Sequence, residues 1–125
     1  VAYSGDGGAG SYGYSRDTGN YQKVGNTVYY SFYITINAIN SNASGNTVVT
    51  GLPFTSGSGQ RFYQGGVIGY YAQWNGVTPT NVLVDINHTR LYLYKNNTTT
   101  SITHSVPTDL TTSSSLIVSG HYQVA

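Results

Sequence analysis

Residues 28–37 alternate without a break. Val28, Tyr30, Phe32, Ile34 and Ile36 fall on one parity, and Tyr29, Ser31, Tyr33, Thr35 and Asn37 on the other. Successive side chains of a strand point to opposite faces, so this period predicts a long strand with one buried face. Tyr29 and Tyr33 make the other face aromatic, which suggests a second packed surface such as a subunit contact.

The same reading continues along the chain. Residues 47–50 form a short strand closed by Gly51-Leu52-Pro53-Phe54, and a Ser/Gly loop follows at 55–60. A β-like run with glycines at 65, 66 and 69 covers residues 61–74 and ends on an Asn75-Gly76 turn. Val82, Val84 and Ile86 alternate with Asn81, Leu83, Asp85 and Asn87, which places Asp85 on the outward parity. Leu91 and Leu93 then alternate with Tyr92 and Tyr94, completing a hairpin before a polar turn at 95–100. The last strand is expected over 116–124, with Gly120 allowing a bulge or a close approach. Residues 1–19, rich in Gly, Ser and Tyr, are expected to be a loop-rich entry segment.

No stretch carries apolar residues at three- and four-residue spacing over ten positions. Many short strands separated by turn signals predict an all-β, antiparallel fold, a β-sandwich or a barrel, and the length suits one domain over 1–125. No internal repeat of 20–50 residues points to a propeller or β-helix. The chain begins with Val1 rather than Met and is expected to be a fragment or a processed product.

Charge narrows the possible partners. Only nine of 125 residues are charged, Glu is absent, and there is no cysteine. The five basic residues are scattered, so no stripe exists to follow a phosphate backbone and nucleic acid is not an expected partner. No apolar run is long enough to insert in a membrane. Ser, Thr, Asn and Gly supply 57 of the residues, and there are 13 tyrosines. A surface of hydroxyls, amides and phenols suits hydroxylated ligands such as sugars, although Tyr and Thr are also good strand formers.

Candidate chemistry is thin. Glycoside hydrolysis usually needs two facing carboxylates, and four dispersed aspartates do not readily supply them. No Gly-x-Ser-x-Gly elbow accompanies the serines and histidines. Asp85, Asn87 and His88 could hold a cation, but an Asx-type turn is the preferred reading, and no metal or cofactor is assigned. Asn42, Asn87, Asn96 and Asn97 fit the Asn-x-Ser/Thr pattern, which arises readily by chance in such a composition. Tyr70-Tyr71-Ala72-Gln73-Trp74-Asn75-Gly76 holds the single Trp beside amides and a turn. Aromatic faces stack on sugar rings and amides bond their hydroxyls, so Trp74, Tyr71 and Asn75 are the candidate ligand-binding residues. Arg61 and Tyr63, after the mobile-looking Ser/Gly loop, are added as neighbours. The competing reading is that Trp74 plugs the core or a subunit interface.

Three segments, in this order, resemble the terminal domains of bacteriophage tail fibres and tailspikes. They are Tyr21-Gln22-Lys23-Val24-Gly25-Asn26-Thr27-Val28, Gly51-Leu52-Pro53-Phe54-Thr55-Ser56 and Ser119-Gly120-His121-Tyr122. The resemblance implies a jelly-roll-like sandwich, a homotrimer, and a place at the distal end of a virion fibre. It also implies attachment to a host surface polysaccharide or lipopolysaccharide, and it carries over no catalytic residue. The alternatives are a trimerisation cap without a ligand of its own and a free lectin-like module.

The parity of the 28–37 strand is directly testable. If Phe32 faces the core, Phe32→Ala should lower the unfolding free energy by about 3–5 kcal/mol in denaturant titration. A loss below about 1 kcal/mol would mean that the two faces are reversed.

Overall fold

The computed structural model of the chain describes residues 1–96 and 100–125. Among these residues the fold is all-β: nine strands, two single-turn 3-10 segments and no α-helix. The strands are β1 (Ala2–Gly5), β2 (Ser11–Val24), β3 (Thr27–Ser41), β4 (Thr47–Thr50), β5 (Gln64–Ala72), β6 (Pro79–Val84), β7 (Arg90–Lys95), β8 (Thr103–His104) and β9 (Ser115–Gln123). They form one antiparallel sheet in the order β1-β4-β7-β6-β5-β9-β3-β2, with β8 also on β7. The sheet folds over on itself and nearly closes, so the expected sandwich is two halves of a continuous sheet. The polar turn expected at 95–100 and the Asn97 motif fall partly or wholly outside the described residues.

The long alternating strand is the centre of the core. Val28, Tyr30, Phe32, Ile34 and Ile36 are all buried, as their parity requires. Opposite them pack Val82, Val84, Leu91, Leu93 and Val49 from the other half-sheet, with Leu116, Val118 and Tyr122 beside them on β9.

The entry segment differs from expectation. Residues 2–5 and 11–24 are strands, and β2 is fourteen residues long. Residues 15–24 are exposed on both faces, so no hydrophobic alternation marks them. The strand is held instead by its ladder to β3, continuous from Arg16↔Thr35 to Val24↔Thr27. Gly25, at φ 58°, supplies the left-handed residue of the connecting turn. Asp85 also departs from its expected outward position. β6 ends at Val84, and the buried Asp85 carboxylate accepts a bond from Arg90 Nε at 2.8 Å. Pairing with arginine is what permits a carboxylate there.

β5 joins the two half-sheets. Its first residues, Gln64 to Gly66, pair with β6, and from Gly66 onward it pairs with β9. Gly66 is the hinge, and its partner on β9 is Gly120. The Tyr30 ring fills the space that both glycines leave. A Cβ on Gly66 would stand 2.7 Å from Tyr30 Oη, and one on Gly120 would stand 2.8 Å from it. The close approach expected at Gly120 is therefore present.

The open edges, β1 and β2, are bridged by side chains rather than by a ladder. Tyr14 Oη accepts from the Tyr3 N–H at 2.7 Å, and Tyr12 Oη accepts from the Ala43 N–H at 2.9 Å. Burial pushes the Tyr14 phenol up to about 12, so it stays neutral over the whole ordinary pH range.

Tyr30 Oη is buried without a hydrogen-bond partner among the described residues. Its removal costs no bond, so Tyr30→Phe should leave stability unchanged or raise it by up to about 1 kcal/mol in denaturant titration. Gly120→Ala should destabilise by about 1–3 kcal/mol through overpacking. Tyr30→Phe should recover part of that loss in the double variant, because the clash is with the hydroxyl. Additive effects would show that Tyr30 and Gly120 do not press on each other.

Candidate functional site

The residues singled out in the sequence separate into two groups. Tyr71 lies near the end of β5, with Trp74 and Asn75 just beyond it. Arg61 and Tyr63 precede the start of the same strand, so seven of its nine residues lie between Tyr63 and Tyr71. At about 3.3 Å per residue these are different ends of the molecule. Arg61 stacks its guanidinium on the Phe62 ring at 4.9 Å and lines a hollow of about 480 Å³ with Asn26, Ser58 and the last residues of the chain. Tyr63 is exposed.

Trp74 is half-buried and packs against the core. Its Nε1–H donates to the Ser115 carbonyl at 3.0 Å, and its ring meets Tyr3 edge-on at 6.1 Å between centroids. The adjoining turn is fastened to the segment before β9. Gln73 O accepts from Thr111 Oγ1 and Ser114 Oγ, while Asn75 donates its backbone N–H to Asp109 O and its amide to Thr108 O. The Trp74 N–H and one Asn75 amide donor are therefore already engaged. Tyr71 alone of the three presents a largely open ring.

The aspartates are likewise engaged. Asp6 accepts the Asn46 backbone N–H and side-chain amide, and these bonds hold its carboxyl below the usual range. Asp17 lies 3.4 Å from the Val1 ammonium. Asp85 pairs with Arg90, and Asp109 with Lys95 at 2.9 Å. Around Asp85, Ser56 Oγ bonds the Asp85 and His88 carbonyls, and Asn87 adopts φ 56°. The chain turns at Ile86 and Asn87, but the Asp85 carboxylate bonds Arg90 and lies 3.1 Å from His88 Nδ1, while the Asn87 N–H donates to Gly57 O, so the contacts are not those of the expected Asx-type turn.

Sequence reasoning did not assemble the outer face of the half-sheet β2-β3-β9-β5. Register sets it out in rows. Gln22, Tyr29 and His121 form one row; Asn20, Ser31, Ser119 and Val67 the next; Thr18, Tyr33, Ile117 and Tyr70 the third. The outer rows are aromatic ridges. Tyr29 lies 5.7 Å from the His121 ring, and Tyr33 meets Tyr70 edge-on at 6.4 Å. The middle row is uncharged, with hydroxyls on Ser31 and Ser119, the Asn20 amide and the exposed Val67 at its β5 end, and Ser31 Oγ donates to Asn20 Oδ1 at 3.0 Å. Four strand residues separate the ridges on β3, about 13 Å. Hollows of about 260 and 530 Å³ lie along this trough. Arg16 closes one end, its guanidinium 4.5 Å from the Tyr33 ring centre. The parity of Tyr29 and Tyr33 was legible, but the rows needed β2, which no hydrophobic pattern announces.

The class defined by this geometry is a small antiparallel β-sandwich with an aromatic, hydroxyl-rich sheet face. No family model and no curated protein matches the sequence. Among solved structures, the chain is similar to the crystal structure of the Dettilon tailspike protein (gp208), with a TM-score of 0.74 and 20% identity. The match covers 98% of this chain and 22% of that one, so the chain spans about a fifth of that tailspike. At this identity the likeness establishes a common fold.

The two aromatic clusters differ in what they hold. Trp74→Ala should lower stability by about 2–4 kcal/mol, since it removes packing on Tyr3 and leaves the Ser115 carbonyl without its donor. Tyr71→Ala should change stability by less than about 0.5 kcal/mol, as for an open surface position. Equal midpoints for Trp74→Ala and the parent in denaturant titration would refute the structural role of the indole.

Proposed function

We propose that this chain is a non-catalytic, tail-associated domain of a bacteriophage that attaches to host-surface glycan and works as a homotrimer. The observation that carries the reading is the fold it shares, over nearly its whole length, with part of a tailspike. The surface supports it, since exposed tyrosines, hydroxyls and amides suit polysaccharide or lipopolysaccharide. Three of the four aspartates, Asp6, Asp85 and Asp109, are held in bonds to Asn46, Arg90 and Lys95, which supports a binding role over a hydrolytic one.

The trimer has its own support. β2 pairs on one side with β3, and residues 15–24 are open on both faces. Tyr21 and Val24, near the hairpin tip, are 55% and 58% exposed. A long strand with an open edge invites pairing unless something covers it, and with so few charges this edge is poorly protected. A trimerisation cap without a ligand is the second reading, favoured by the same edge.

Light scattering at micromolar concentration is expected to give three times the 13.4 kDa chain mass. Fluorescently labelled protein is expected to bind host cells and purified lipopolysaccharide or capsule. A trimer that binds neither cells nor glycan would establish the cap. A monomer that binds glycan would establish the lectin-like module.

A further inference from the structure

Among the described residues the basic side chains divide into those paired with a carboxylate and those that lie only over a ring, Arg16 on Tyr33, Lys23 on Phe54 and Arg61 on Phe62, and of the latter Arg16 is the one on the outer face of the trough. Arg90 and Lys95 are paired with Asp85 and Asp109. Arg16 has no carboxylate within ion-pair distance among the described residues. It is exposed, and its guanidinium lies 4.5 Å from the Tyr33 ring centre at the end of the trough. The three rows contain no acidic residue, because Asp17 lies on the opposite parity of β2, across from Ile34. The face therefore presents one uncompensated cation beside a neutral floor. On that floor, Asn20 uses its oxygen to accept from Ser31 and keeps its amide donors, while Ser119 is exposed.

We propose that this trough binds a glycan carrying an anionic sugar, with a ring seated over Ser31 and Ser119 between the Tyr29 and Tyr33 ridges and its carboxylate or phosphate on Arg16. This rests on the glycan-attachment reading above and adds to it the site and the charge of the ligand. A flat ring stacks on either phenol by its C–H face. The hydroxyls of such a ring meet Asn20, Ser31, Thr18 and Gln22, all in neighbouring register positions. An arginine guanidinium matches a carboxylate or phosphate with two parallel donors. A second copy presenting this same face would offer Arg16 no acid, since the three rows contain none.

The test uses the whole protein in its native oligomeric state, probed with an array of hexuronate-containing bacterial capsule oligosaccharides and their carboxyl-reduced counterparts. At least one acidic oligosaccharide should bind, and its reduced form should bind about tenfold more weakly, the factor one charge-assisted bond supplies. Arg16→Gln should bring the acidic form down to the affinity of the reduced one. Tyr29→Ala, and Ser31→Tyr, which fills the trough on a strand that tolerates aromatics, should each weaken binding at least about tenfold. Melting temperature and oligomeric mass should not move in any of the three.

Glycan binding that all three variants retain would overturn the trough and leave the attachment reading standing. Preference for the reduced oligosaccharides would overturn the anionic ligand. Variants that change the oligomeric mass would make the face a subunit contact and overturn the proposal. Absence of binding to any oligosaccharide or to host cells would overturn both this inference and the glycan reading.

Discussion

The fold depends on the close approach of Gly66 and Gly120 over the ring of Tyr30. At this point one strand leaves one half-sheet and enters the other, so both halves share a single hydrogen-bonded ladder. Any side chain at either glycine would occupy the space of the phenol. Among the described residues the tyrosine hydroxyl is buried there without a partner, which is costly for a polar group. That cost is tolerated because the ring closes the corner of the core, packing on Phe32 at 6.2 Å and on Tyr122 at 5.9 Å.

From this corner the other features follow. The strands beyond it stack in register, β3 on β9 and β5 on β9, and the register sets the outer rows that form the trough. The opposite edges meet without pairing and are tied by Tyr14, whose phenol reaches the Tyr3 N–H of β1, while Tyr12 fastens β2 to Ala43 in the connection between β3 and β4. Tyrosine thus serves as core filler, edge clasp and surface ridge in one small chain. Tyr122 adds a further case, its hydroxyl holding both the N–H and the carbonyl of Phe54.

The scarcity of charge has a matching consequence. Asp85–Arg90 and Asp109–Lys95 each tie a strand end to a loop, and Asp6 anchors the turn at Asn46. What is left for recognition is phenol, hydroxyl, amide and a few cations stacked on rings: Arg16 on Tyr33, Lys23 on Phe54 and Arg61 on Phe62. Such a surface has little long-range field and presents mainly shape and ring faces.

The sequence by itself determined the strands that bury one face. The parity of residues 28–37 and of the Val82–Leu93 hairpin is written in period-two alternation, because burial on one face forces that pattern, while Thr47–Thr50, buried at three successive positions, and the final strand are marked by short apolar runs. It also marked Gly120 as a position of close approach. It did not determine β2, whose residues are open on both faces and held by hydrogen bonds that leave no trace in side-chain polarity. The placement of Trp74 on Tyr3, the burial of Asp85 beside Arg90 and the separation of Arg61 from Tyr71 were also decided only in three dimensions. The trough belongs with these, since its residues come from four strands far apart in the chain. Local alternation reports which face of one strand meets the core, whereas a surface site depends on register between strands, and register is a property of the assembled sheet.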